Sequence, residues 1–362
     1  MTSSRHALVA ALTTATLPDS SGGDLSAFWT AARSEGVLPL ITQRVGTGGS
    51  IPAAIAQEVR DGEARAALAD RDLRRVLEAL DARRVRTLVF KGAALAHQYY
   101  SRPGLRPRLD ADLLIAAGDV ALTHSVFLDL GARLAPLVTG NYVMSQFCYE
   151  RTDEARCERA YDVHWRIVNP LPFAPAFEFD DLWRGAQPIA ALGPAARTPA
   201  PSDALLIACV HRAAHHGAGG PLIWLVDVHR LAEHLSPESR TAFVEKACAR
   251  GVSAVAARTL LETAALFGGP VTSALASELT QAAARVSEPS ARYLVPRSRL
   301  SETLGDLLVL SWRGRARLLR ELAFPPADYM RNVYGATRRA PLPVLYLQRV
   351  LTGAWRWSRR TR

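Results

Sequence analysis

Lysine is nearly absent from this chain. Of its 44 lysine and arginine residues only Lys91 and Lys246 are lysine. Arginine does not replace lysine where a compact point charge is needed, so a lysine kept directly before Gly92 points to such a need. Cysteine is scarce too. Cys148, Cys157, Cys209 and Cys248 show no CxxC or finger-type spacing, which argues against a zinc finger or a disulfide framework. They read as isolated buried thiols in a reducing cytoplasm. No apolar run reaches the roughly 20 residues needed to cross a bilayer, so no membrane span is expected. The opening MTSSRHALVAALTTATLPDSSGG has only a thin basic region before a short apolar stretch, and a cytoplasmic rather than secreted location is expected. Internal repeats and low-complexity tracts are also missing.

What is present is a globular composition. The chain has 362 residues, 49% hydrophobic and 22% charged, enough for two or three domains with sizeable cores. Its charge is unevenly placed. Arg313 to Arg362 holds twelve arginines against Glu321 and Asp328, a net of +10 that equals the net charge of the whole chain. Tyr329, Tyr334, Tyr346, Trp355 and Trp357 are interleaved. Basic residues among aromatics suit a polyanion or an anionic surface. The apolar spacing in the same tail favours the plainer reading of an Arg-rich helical end.

Residues 1–84 read as a helical region. DLSAFWTAARSEGVLPLITQRV has Asp24 as N-cap and breaks at Gly36, and residues 51–84 form an amphipathic helical run. From 85 to 195 the pattern becomes α/β. VRTLVF is a strand leading into Lys91-Gly92 and the helix AALAHQYY. A Pro/Gly loop then leads to a second strand, RLDADLLI. Helical DVALTHSVFLDLGA precedes strand-like ARLAPLVTG, NYVMSQFCYE and AYDVHWRIV. LGPAARTPAPSD (192–203) reads as a linker, 203–310 as a helical domain and 311–362 as a basic helical tail. The fold class is therefore α+β, with an α/β core between helical regions.

Alternation along a strand puts Asp110 and Asp112 on one face, with Leu109, Ala111 and Leu113 on the other. The same alternation in YDVHWRI puts Asp162, His164 and Arg166 together. Two carboxylates on an apolar strand repel unless a cation separates them. Mg²⁺ is a natural partner because it combines carboxylates with substrate phosphates. If the strands are neighbours, Asp162 becomes a third carboxylate, and three can hold two metals for displacement at a phosphate. Lys91-Gly92 at a strand-to-helix turn suits phosphate binding. The competing reading pairs Arg106 and Arg108 with Asp110 and Asp112 as surface ion pairs.

The stretch FKGAALAHQYYSRPGLRPRLDADLLI, with YDVHWRI and HRAAHHG…LIWLVDVHRL, resembles the uncharacterised bacterial nucleotidyltransferase family of the DNA polymerase beta-like superfamily. That resemblance implies a small mixed sheet flanked by helices. It implies Asp110 and Asp112 as metal ligands, Asp162 as third ligand or base, and Lys91 and Gly92 on the phosphates. It also implies that the helix pair carrying His211, His215 and Asp227 closes over the nucleotide. The pattern departs where Ala93 and Ala94 follow Gly92, which removes a hydroxyl contact, and at Leu109, where a small residue is common. From spacing, His211, His215 and Asp227 either hydrogen-bond between helices, touch nucleotide or acceptor, or bind metal, although HExxH is absent. Arg106 either grips the triphosphate or pins its loop. Trp165 and Trp224 read as core anchors, and GAGG (217–220) as a turn.

The function expected is a Mg²⁺-dependent nucleotidyltransferase using two ions and an NTP such as ATP, with release of pyrophosphate. Its acceptor (small molecule, peptide or RNA) is unidentified. The alternatives are a non-catalytic nucleic-acid- or peptide-binding protein on a retired scaffold, and a toxin-like transferase acting on RNA.

Overall fold

In the computed structural model, which describes residues 3–18, 25–46, 51–138, 140–216, 219–295, 298–334 and 340–357, the region after Arg84 builds a mixed sheet. Its strands are β1 (Thr87–Phe90), β2 (Asp110–Ile115), β3 (Arg133–Leu134), β4 (Gln146–Thr152), β5 (Glu158–His164), β6 (Gln187–Pro188) and β7 (Arg197–Thr198). They lie in the order β3-β4-β5-β2-β1-β7-β6. β1 runs antiparallel to β2, and β2 runs parallel to β5.

Helices α1 (Ser3–Thr14), α2 (Leu25–Ser34), α3 (Leu38–Val45) and α4 (Ala53–Ala82) precede the sheet. α5 (Lys91–Gln98), α6 (Val120–Asp129) and α7 (Phe179–Arg184) are set among its strands. Five more follow: α8 (Pro201–His216), α9 (Leu222–Glu233), α10 (Pro237–Ala249), α11 (Ser253–Phe267) and α12 (Pro270–Ala283). α13 (Arg299–Val309) precedes the basic tail, which supplies α14 (Trp312–Ala323), α15 (Ala327–Tyr334) and α16 (Leu342–Trp357). This is an α+β fold, a mixed sheet flanked by helices. Among the described residues no helix is long and apolar enough to cross a membrane.

Alternation assigns the two sheet faces to two cores. Val89, Ala111, Leu113, Ile115, Tyr161 and Val163 pack with Phe127 of α6 and with Leu73, Val76, Leu77 and Leu80 of α4. Those α4 residues recur every three or four positions, one stripe of a helix. Leu88, Phe90 and Leu114 point the other way, into a core shared with α1 to α3 and α8 to α12. Asp112 has the parity of Leu114, and Asp162 is its register partner on β5. The acids therefore lie on the face turned towards the helical half of the molecule.

Several expectations are corrected. Leu109 precedes β2 and is 97% exposed, because strand pairing begins only at Asp110. β5 ends at His164, so Arg166 leaves the acidic face. Its guanidinium instead donates to the carbonyls of Asn141, Tyr142, Val168 and Asn169. Among the described residues of ARLAPLVTG only Arg133 and Leu134 are strand. The stretch 192–203 is no plain linker, since β7 within it pairs parallel to β1 through Leu88 and Arg197. Of the four free cysteines only Cys209 is buried, and Cys248 is exposed. Asp24 and the first two residues of GAGG lie outside the described residues.

Candidate active site

β1 ends at Phe90 and the chain turns directly into α5. Lys91, the first residue of the turn, has φ +52°, a left-handed conformation that costs a non-glycine residue of order 1–3 kcal/mol. From there its Nζ reaches Asp112 Oδ1 at 2.7 Å. His164 Nε2 lies 3.0 Å from the same oxygen, because β2 and β5 pair in parallel with Asp112 opposite Asp162 and Leu114 opposite His164. Burial alone would raise the Asp112 pKa. The Lys91 charge and the His164 hydrogen bond outweigh it and hold the carboxyl at about 2.

His164 is buried. Desolvation first, and the Lys91 charge second, lower its pKa, so the ring is neutral at pH 7. A carboxylate only accepts, which places the proton on Nε2. Asp162 Oδ2 accepts from Gln146 Nε2 at 3.3 Å. Desolvation, then the Asp162 charge and a hydrogen bond to it, push the Cys148 thiol up to about 12. Asp112, Asp162 and His164 each bring one ligand atom to within 4.8 Å of the others, a donor set able to hold a cation. Asp110 is not one of that set.

Asp110 stands at the mouth of the site with its side chain exposed. Its pKa is raised to about 6, first by desolvation and then by the charges of Asp112 and Asp162. Exposure weakens the desolvation part, but the two acidic neighbours push the same way. The sign for stability follows. The folded pKa of about 6 exceeds the ordinary 3.8, so ionisation opposes folding. The penalty is absent below pH 3.8, develops as pH rises towards 6 and is complete above it. In metal-free buffer, Asp110→Asn is expected to melt above wild type at pH 8 and level with it at pH 3.5. A thermal melt series over that range checks this, and equal melting at pH 8 would contradict it.

Arg106 and Arg108 do not neutralise the acids as surface ion pairs. Arg106 is buried and donates from Nε and Nη2 to Asp227 of α9 at 2.8–3.1 Å, and from Nη1 to the Pro107 carbonyl at 2.6 Å. Tyr100 OH donates to the same Asp227 at 2.5 Å. Arg108 pairs with buried Asp70 of α4. Asp72 of that helix takes Arg151 and the Tyr161 hydroxyl. Arg106 thus pins its loop to α9, and Asp227 is occupied by protein partners. A Cβ on Gly92 would meet Arg106 Nη1 at 3.3 Å, so glycine here makes room for the guanidinium.

These groups line a cleft of about 750 Å³, within the usual size of ligand sites. Lys91, Gly92, Asp110, Asp112 and Asp162 line it together with Arg65 and Ala69 of α4. His211 of α8 and Trp224 of α9 also line it. Trp224 is therefore a cleft residue as well as a packing one. His215 is exposed, its ring centroid 5.0 Å from that of His211. Among the described residues no metal-ligating cluster includes His211, His215 or Asp227.

Sequence reasoning left His164, Gln146, Tyr100, Asp70 and Asp72 without roles. For His164 the signal was available, since it has the parity of Asp162. Asp70 and Asp72 are acids on a charged helix, and only the packing of β2 and β5 against α4 distinguishes them.

No curated protein matches this chain. A family model described as an uncharacterised nucleotidyltransferase matches residues 21–268. That span takes in α2 to α4, every strand, and α8 and α9, and the chain is accordingly a member of this nucleotidyltransferase family.

Proposed function

We propose that the protein is a Mg²⁺-dependent nucleotidyltransferase. It would move a nucleoside monophosphate from an NTP to a hydroxyl or amine of an unidentified acceptor, releasing pyrophosphate. The observation that carries this reading is the in-register pairing of Asp112 with Asp162, beneath the Lys91 ammonium and beside Asp110. Asp110, Asp112 and Asp162 would hold the cation or cations. A divalent ion there neutralises phosphate charge and lowers the pKa of an attacking oxygen.

The remaining work falls to the chain itself. His164, donating from Nε2, keeps Asp112 oriented and leaves oxygen ligands for Mg²⁺, which prefers them. Lys91 is a point charge that exchanges its hold on Asp112 for the triphosphate. Gly92 and the start of α5 offer backbone N–H groups nearby. Arg106, locked by Asp227, adds fixed positive charge without changing shape. Asp162 accepts the acceptor's proton at its carboxylate. His211 and Trp224, which line the same cleft, contact the nucleotide or acceptor, and His215 orients His211. Positioning and charge neutralisation supply most of the rate in such transfers.

Calorimetric titration of ATP, GTP, CTP and UTP, with and without Mg²⁺, tests the donor site without an acceptor. One nucleotide should bind only with metal, and Asp110→Ala should abolish the heat. Metal-independent binding unchanged in Asp110→Ala would remove the acids from the donor site.

A further inference from the structure

Most of the large hydrophobic side chains exposed among the described residues lie between Leu300 and Leu347. They fall in the part of the chain that begins just before, and then carries, its net positive charge. On α13, Leu300, Leu304 and Leu308 recur every four residues and are 48%, 53% and 72% exposed. On α14, Trp312, Ala316, Leu319 and Ala323 are exposed at spacings of four, three and four. Gly314 and Leu318 form that helix's buried side. Exposed Arg313, Arg317 and Arg320 make the adjoining stripe.

Two of the three acids of these helices, Asp306 and Glu321, face inward. Asp306 accepts the Leu171 backbone N–H at 2.9 Å, and Glu321 accepts those of Asn141, Tyr142 and Val143 at 2.9–3.1 Å. The two helices are thus fixed to the loops beyond the sheet by their carboxylates. They turn leucine, tryptophan and arginine outward.

We propose that the surface made by α13 and α14 docks on an anionic lipid bilayer. The leucine–tryptophan stripe enters the headgroup boundary, and Arg313, Arg317 and Arg320 meet lipid phosphates. An apolar stripe flanked by arginine is the pattern of a helix lying in the interface plane, and neither helix is long and apolar enough to span. A contiguous apolar patch on a soluble surface marks an interaction site. A single-stranded nucleic acid would use the arginines and aromatics, but it gives aliphatic Leu300, Leu304, Leu308 and Leu319 no partner. A second copy of this face would bring like charge against like charge. The proposal is independent of nucleotidyl transfer.

Flotation of the full chain with phosphatidylcholine vesicles, with and without phosphatidylglycerol, tests it. The protein should float only with the anionic vesicles. Leu304→Gln/Leu308→Gln should weaken binding about tenfold or more, and Arg313→Gln/Arg317→Gln/Arg320→Gln about a hundredfold. These side chains are exposed, so each variant should melt with the wild type, and the leucine pair leaves the charge untouched. Failure to float would overturn the proposal. So would flotation indifferent to the leucines, RNA binding that displaces vesicles and tolerates Leu→Gln, or a dimer in light scattering that Leu308→Gln dissolves.

Discussion

Asp112→Asn is expected to lower nucleotidyl transfer by about a thousandfold or more while the protein stays folded. Asparagine fills the same volume but carries no charge to hold a cation or to fix the Lys91 ammonium 2.7 Å away. Charge stabilisation at such a site is worth several kcal/mol, and each 1.4 kcal/mol is a factor of ten in rate. The stability cost is smaller. A carboxyl held at about 2 in the folded protein against an ordinary 3.8 contributes about 2 kcal/mol. A depressed pKa means that this contribution is present above pH 3.8 and fades as pH falls towards 2. Single-turnover transfer from a labelled NTP, beside circular dichroism and a melt, measures both. Transfer within tenfold of wild type would remove Asp112 from the mechanism.

Asp227→Ala is expected to destabilise the protein by about 3–5 kcal/mol, as removal of one partner from a buried ion pair does. Arg106 and Asp227 are 7% and 4% exposed. Burial by itself would lower the Arg106 pKa, and Asp227 reverses this and raises it. Without Asp227 a guanidinium is left buried and uncompensated, and the Tyr100 hydroxyl loses its acceptor. Arg106→Met/Asp227→Leu should recover most of the loss, because an apolar pair of similar size carries no desolvation penalty. Urea unfolding of the two single variants and the double variant isolates the coupling. The pair ties the loop before β2 to α9, so Asp227→Ala should also raise KM for the NTP. A cost below about 1 kcal/mol for Asp227→Ala, well under the buried-pair range, would mean that the network does not hold α9 over the site.

How much of this was legible beforehand depends on range. The parity of Asp110 with Asp112, and of Asp162 with His164, is a property of the extended backbone and can be read from a few consecutive residues. The same holds for the stripe Leu73, Val76, Leu77, Leu80 in α4, and for the strand-to-helix change at Lys91. The concentration of arginine after Trp312 is plain addition. Where a strand stops is less local. Arg166 continues the alternation of YDVHWRI, but its residue lies past the last β5 partner, and the loop carbonyls around it took the side chain instead.

The sequence by itself therefore determined most of the element types, the acidic face and the uneven charge, because each is set by short-range backbone geometry or by composition. Tertiary structure decided which cation meets which carboxylate. Arg106 and Arg108 lie within four residues of Asp110 yet pair with Asp227 and Asp70, while Lys91, 21 residues before Asp112, takes that acid. Many arginines compete for each acid in so basic a chain. A buried pair forms where packing has already brought two desolvated charges together, and that is settled by the meeting of β2, α4 and α9 rather than by distance along the chain.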